Sequence, residues 1–230
     1  MNPEEESTAL PLFPLPNVVH FPGTELKLHI FEPRYRRMIA DLLEAEPEAR
    51  RIGMVLMKPG SRSFERPEIF AEGTAGLLVD VDRLPDGRSN ILLQGEYRFQ
   101  VEEELLGAVT PYRQARVRPL TEPLLDESDP GIQAVRRSLL SLVDTLAGEI
   151  GEGFPIKPVQ LKDPELTRGF EQLVNRIAAD LDLPALSKIS LLGDSLPERA
   201  LHLLGILSSR RQVLDLLRPF RHLAATPDLN

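Results

Sequence analysis

The hydrophobic period of this chain changes near Glu122, from two residues before it to between three and four after it, and that change excludes any architecture built from one kind of element. Ahead of the change, Glu25-Leu26-Lys27-Leu28-His29-Ile30 sets Leu26, Leu28 and Ile30 on one face of a half-buried strand. Ile52 to Met57 and Gly76 to Val81 read as further strands. Leu84-Pro85-Asp86-Gly87-Arg88 reads as a tight turn, because proline presets φ and Asp-Gly supplies the positive-φ position; Ile91-Leu92-Leu93 is its return strand. Arg98 to Val101 and Tyr112 to Val117 continue the alternation, which predicts a largely antiparallel sheet of about six or more strands. One helix interrupts it near Pro33, with Met38, Ile39, Leu42 and Leu43 along one side.

Beyond Glu122, Asp129-Pro130 is an N-cap followed by a first-turn proline, and Ile132, Val135, Leu139, Leu142, Val143, Leu146 and Ile150 form a helical stripe. Gly148 to Phe154, with Pro155 and Pro158 beyond, reads as a loop. Asp163-Pro164-Glu165 is expected to start a second helix, striped by Leu166, Phe170, Leu173, Val174, Ile177 and Leu181. Pro184 opens a short third, and Ser195-Leu196-Pro197-Glu198 has capping-box spacing. That last helix carries Leu203, Leu207, Leu214 and Leu217 and should stop at about Pro219. The expected class is α+β, with a β-rich subdomain over 1–122 and an α-helical subdomain over 123–230.

Composition narrows the chemistry. With 35 acidic against 27 basic residues the formal charge is −8, which opposes nonspecific adhesion to phosphate backbones and anionic lipid. The absence of cysteine excludes disulfides, thiolate metal sites and a cysteine nucleophile. The opening MNPEEESTALPLF lacks the basic start and apolar run of a secretory signal, and no stretch approaches the ~20 apolar residues of a membrane span, so the expected compartment is the cytoplasm.

Motifs of catalysis are missing from the sequence. No G-x-x-x-x-G-K-[ST] phosphate loop occurs, and Gly60-Ser61-Arg62-Ser63 reads as a surface loop. There is no G-x-S-x-G elbow or serine–lysine peptidase motif. His20, His29, His202 and His222 lack metal-ligand spacing and read as surface or partly packed residues, and Glu102-Glu103-Glu104 alternates across a strand end. Arg136-Arg137 and Arg210-Arg211 read as solvated faces or carboxylate partners, and Arg98 as the partner of a buried carboxylate. No cofactor, metal or catalytic residue is expected.

Residues 10 to 38, LPLFPLPNVVHFPGTELKLHIFEPRYRRM, resemble the opening of the substrate-binding amino-terminal domain of Lon proteases. Gly73-Thr74-Ala75-Gly76, Leu84 to Arg88, Gly95-Glu96-Tyr97-Arg98-Phe99, Pro111-Tyr112 with Ala115-Arg116-Val117, and Pro197-Glu198-Arg199-Ala200 follow in the order that family carries them. Phe13, Phe21, Phe31 and the Glu32-Pro33-Arg34-Tyr35 corner are more similar to its free-standing bacterial form. The resemblance implies a PUA-like antiparallel β pseudo-barrel with one inserted helix, followed by a C-terminal α-helical bundle. It also implies capture of unfolded or apolar polypeptide, with a separate protease or chaperone as a further partner. Lon's ATPase and peptidase have no counterpart in these 230 residues.

The corner Glu32-Pro33-Arg34-Tyr35-Arg36 has two readings. In one, Glu32 caps the helix and Arg34 or Arg36 ties the corner to the sheet. In the other, Glu32, Arg34 and Tyr35 with exposed Phe21 or Phe31 form a groove whose polar rim and aromatic floor hold an extended peptide. The alternative function is an RNA- or nucleic-acid-binding PUA-like protein, which would need a contiguous basic face and steeply salt-dependent binding.

Overall fold

The computed structural model describes residues 8–61, 63, 66–107, 109–122, 124–149 and 169–219. They form six strands, β1 (Thr8–Leu15), β2 (Glu25–Ile30), β3 (Arg51–Met57), β4 (Ile69–Arg83), β5 (Ser89–Glu104) and β6 (Arg113–Leu120). Five α-helices accompany them, α1 (Pro33–Leu43), α2 (Pro130–Glu149), α3 (Phe170–Asp180), α4 (Ala185–Gly193) and α5 (Leu196–Leu217). The class is α+β. Two compact units emerge, residues 1–123 with 183–193, and residues 124–182 with 194–230.

In the first unit the sheet order is β2-β5-β4-β3-β1-β6, with β6 also pairing to β5, so the ladders run in a circuit through β5, β4, β3, β1 and β6. Only β1 and β3 run parallel. Leu10, Leu12, Val55, Ala75, Phe99, Ala115 and Val117 make one buried cluster. Gly53 and Gly73 leave the volume that the Phe99 ring fills: a β-carbon at Gly73 would stand 2.5 Å from Phe99 Cζ and 2.6 Å from the Met54 carbonyl oxygen. Alternate residues of the same strands, Phe13, Ile52, Met54, Leu78, Ile91 and Leu93, form a second cluster with Tyr35, Met38 and Ile39 of α1.

Strand β1 carries Pro11 and Pro14, which cannot donate to a ladder. Each proline lies where the strand has one partner: Thr8 to Leu12 pair with β6, and Leu12 to Leu15 with β3. The stretches 91–93 and 98–101 belong to one strand, β5, in which a bulge at Glu96, beside Gly95, interrupts the register without ending the strand. The hairpin forms as expected, with Gly87 at φ 80° and its amide donating to the Leu84 carbonyl.

Arg98, 5% exposed, pairs with Glu122 at 2.6 Å and donates to the Leu192 carbonyl at 2.6 Å, so one guanidinium holds α4 to the sheet. Burial of an arginine is tolerable here because a carboxylate and a carbonyl replace its water.

In the second unit, Asp129 Oδ1 accepts from the Gly131 and Ile132 amides, capping α2 as its sequence predicts, and Leu139, Val143 and Leu146 are buried. Helix α2 runs through Glu149, so Gly148 is helical rather than part of a loop. The rest of that expected loop, and the Asp163-Pro164 start, lie outside the described residues. Helix α3 begins at Phe170, with Gly169 extended at its N-cap. Glu198 closes onto Ser195, accepting from its amide at 3.0 Å and its hydroxyl at 2.6 Å. Leu203, Leu207 and Leu214 are buried, but Leu217, which continues the same stripe in the last turn of α5, is exposed. Arg199 is wholly buried and bonds Asn175 Oδ1 at 2.5 Å and the Asp194 carbonyl at 2.9 Å.

Candidate functional site

Because β1 and β3 are parallel and in register at Leu15 and Leu56, their chains leave the sheet at the same end. A groove of about 950 Å³ opens there. Pro16 and Asn17 line it from β1, and Leu56, Met57, Lys58 and Pro59 from β3. Glu32 and Arg34 contribute from the start of α1, Pro184, Ala185 and Leu186 from the start of α4, and Gly60, Ser61, Ser63 and Pro67 from the β3–β4 connection. All of these belong to the first unit. The surface is mostly hydrocarbon with a few polar groups at its rim, the composition of a binding cleft.

The β3–β4 connection is fastened at both ends. The Lys58 amide donates to the Glu68 carbonyl at 2.7 Å, and the Glu68 amide to Ser61 Oγ at 3.0 Å. Arg113 donates to the Pro67 carbonyl at 2.7 Å and holds Glu104, which also accepts from Arg66 at 2.9 Å. Burial pushes the Glu104 carboxyl up, but the hydrogen bonds from Arg113 and Arg66 outweigh it and leave the group below its ordinary value of 4.5. Lys58 has its ammonium 5.9 Å from the Phe70 ring centre.

The α1 corner reaches the groove through a stack. Phe13 and Tyr35 lie ring to ring, centroids 4.0 Å apart, and the Arg34 guanidinium covers the outer face of Tyr35 at 4.6 Å. Arg34 Nε then donates to Glu32 at 2.9 Å. Burial raises the Tyr35 phenol, with Arg34 opposing, so the ring stays neutral. Stacking and pairing fix a charged rim on a buried aromatic column.

The residues expected at a peptide site separate in the structure. Glu32 and Arg34 line the groove, and Phe31, the residue before Glu32, is 60% exposed beside the His29 ring. Phe21 is not exposed: its accessibility is 0%, because the chain before β2 folds over β5, with the Gly23 amide donating to the Gly95 carbonyl and the Gly95 amide to the Thr24 carbonyl. Gly95 permits that approach, since a β-carbon there would fall 2.3 Å from the Phe21 carbonyl oxygen. Tyr35 is likewise buried, at 4%, and supports the rim from beneath. Glu32 does not cap α1 with its side chain; its carbonyl accepts from the Tyr35 and Arg36 amides while its carboxylate turns to Arg34.

His20, expected at the surface or partly packed, is buried, its Nε2 2.9 Å from the Thr24 carbonyl, and burial lowers its pKa against the opposing effect of that hydrogen bond. His222 lies outside the described residues. Among the described residues no group of three or more His, Asp and Glu could hold a metal ion, and no helix is long and apolar enough to cross a membrane. Sequence reasoning missed Met57, Lys58, Pro67 and Leu186, which come together only through the β1–β3 register and the docking of α4; the scattered prolines 16, 59, 67 and 184 were the available signal.

These features define an α+β domain whose sheet end carries a groove suited to binding. The family model of the ATP-dependent protease La (LON) substrate-binding domain matches residues 9–209, and the chain belongs to that family. A Lon protease of Flavobacterium johnsoniae is 29% identical over 222 residues, which is 94% of this chain and 26% of that protein. The chain thus spans about a quarter of the length of the curated relatives it matches. Among solved structures, the Lon N-terminal domain protein from Xanthomonas campestris superposes with a TM-score of 0.61 at 24% identity, covering 86% of this chain and 98% of that one. The N-terminal domain of Mycobacterium avium complex Lon protease gives 0.60 at 17% identity, covering 87% and 98%. Both likenesses concern the fold.

Proposed function

We propose that this chain is a noncatalytic polypeptide-binding module whose groove between the starts of α1 and α4 holds an extended, mainly apolar segment of an unfolded protein. The carrying observation is the groove itself: about 950 Å³ of largely apolar surface, with Glu32 and Arg34 locked at its rim. A space of that size takes several side chains, and its exposed backbone and polar rim can meet the main chain of a bound strand. Membership in a substrate-binding family supports the same reading. Phe31, Glu32 and Arg34 contact the client, while Phe21 and Tyr35 act from within by shaping the corner. The circuit of strand pairings supports reading the first unit as a PUA-like pseudo-barrel, and the helices of the second as its helical companion. The partners are unfolded polypeptides in the cytoplasm, delivered to or received from a separate protease or chaperone.

Fluorescence anisotropy with labelled, unfolded casein tests this reading. Binding is expected at a Kd on the order of tens of micromolar, weakened roughly tenfold or more by Leu186→Glu. Absence of saturable binding, or indifference to Leu186→Glu, refutes it. Binding to single-stranded RNA with a steep salt dependence would favour the nucleic-acid alternative instead.

A further inference from the structure

A second cavity of about 320 Å³ lies on another part of the first unit, between α1 and the β4–β5 hairpin. Its floor is apolar, formed by Ile39, Leu43 and Leu84, and three arginines, Arg36, Arg83 and Arg88, are among its lining residues. Such a concentration of positive charge is unexpected in a chain whose formal charge is −8. Arg88 is already engaged: its guanidinium pairs with Asp86 at 2.6 Å and lies 3.5 Å from His29 Nε2, and Arg88 and, more weakly, Arg36 hold Asp86 below its ordinary value. Among the described residues neither Arg36 nor Arg83 makes an ion pair with a carboxylate, Asp86 being paired with Arg88. Asp82, the neighbour of Arg83, faces the opposite side of the hairpin, where it accepts from Asn90.

The cleft is shaped around Arg36. Gly87 is at φ 80°, as the turn demands, and a β-carbon there would fall 2.0 Å from Arg36 Nη2, so the glycine also gives the guanidinium its seat against the hairpin. Arg83 comes from the strand leading into the same turn and Arg88 from the residue just after it.

We infer that this cleft binds a small phosphate monoester with an apolar body, the phosphate held by the Arg36 and Arg83 forks and the body laid on Ile39, Leu43 and Leu84. Guanidinium forks match phosphate oxygens in pairs, whereas an apolar floor gives nothing to inorganic phosphate, so the organic ester is the better ligand. The cavity is at the small end of ligand sites, which favours one compact molecule over a stretch of polymer. The inference does not depend on the groove described above.

Titration of the full chain with phenyl phosphate, followed by calorimetry and by NMR of isotope-labelled protein, tests it. The expected result is saturable binding at or below about 1 mM, tighter than for inorganic phosphate, with perturbed signals at 36–43 and 83–89. Arg36→Gln with Arg83→Gln should weaken binding roughly tenfold or more while leaving the unfolding transition in place, since both side chains are exposed. Raising the salt should also weaken it. No saturation, equal affinity for inorganic phosphate, binding unaffected by the double substitution, or binding of a phosphoserine peptide without binding of phenyl phosphate would each overturn the assignment.

Discussion

Arg98→Met isolates the contact on which the groove's far wall depends. The substitution keeps the hydrocarbon stem but removes the charge that pairs with Glu122 and the donor that reaches the Leu192 carbonyl on α4. Glu122 is only 12% exposed at its side chain, so water cannot fully replace the guanidinium. Breaking one side of such a pair costs about 3–5 kcal/mol, and the deserted carbonyl falls within that figure rather than adding to it. For a chain of this size that is a fall of roughly 6–20 °C in Tm. Helix α4 should loosen first, so hydrogen exchange over 185–193 should accelerate more than over β3 and β4. Urea unfolding followed by circular dichroism gives the stability. The double variant Arg98→Met/Glu122→Leu replaces the ion pair with apolar bulk and should regain about half of the loss or more. A single-variant cost under about 1 kcal/mol, or a double variant no more stable than the single, refutes the reasoning.

Other outcomes follow from the same geometry. Gly73→Ala should destabilise by about 1–3 kcal/mol, and adding Phe99→Leu should not rescue it fully, because the Met54 carbonyl blocks the new methyl as closely as the ring does; full rescue in urea unfolding would contradict this. Because the folded Glu104 value is depressed, the unfolded state takes up its proton first as pH falls below 4.5, so this contribution is complete above that value and lost on acidification through the folded value. Glu104→Gln should therefore flatten the decline of stability from about pH 5 to about pH 3, and parallel curves for the two proteins would refute it. His20, with its lowered pKa, acts in the same direction starting nearer 6.5: the unfolded state gains a proton that the folded ring resists, so His20→Gln should remove part of the stability slope just below that pH.

Much of the fold was legible where chemistry is local. The alternation of Leu26, Leu28 and Ile30, the Asp-Gly hairpin, the Asp129 cap and the Ser195–Glu198 box each carry their signal within a few residues. Strand β1 was not legible as a strand, because Pro11 and Pro14 argue against a ladder until each is seen to sit where β1 has one partner. Phe21 and Phe31 look alike in sequence, yet one is enclosed by a backbone approach over Gly95 and the other stands in the open. The site was half legible: charge and aromatic density marked Glu32, Arg34 and Tyr35, whereas Met57 and Leu186 are 129 positions apart in the chain and meet through tertiary structure alone.

The most direct measurement is hydrogen–deuterium exchange of the full chain with and without saturating unfolded casein. Protection is expected at 16–17, 56–61 and 184–187, with the hairpin at 84–88 unchanged. Protection elsewhere with none at the groove, or no protection at all under conditions where casein is bound, contradicts the account.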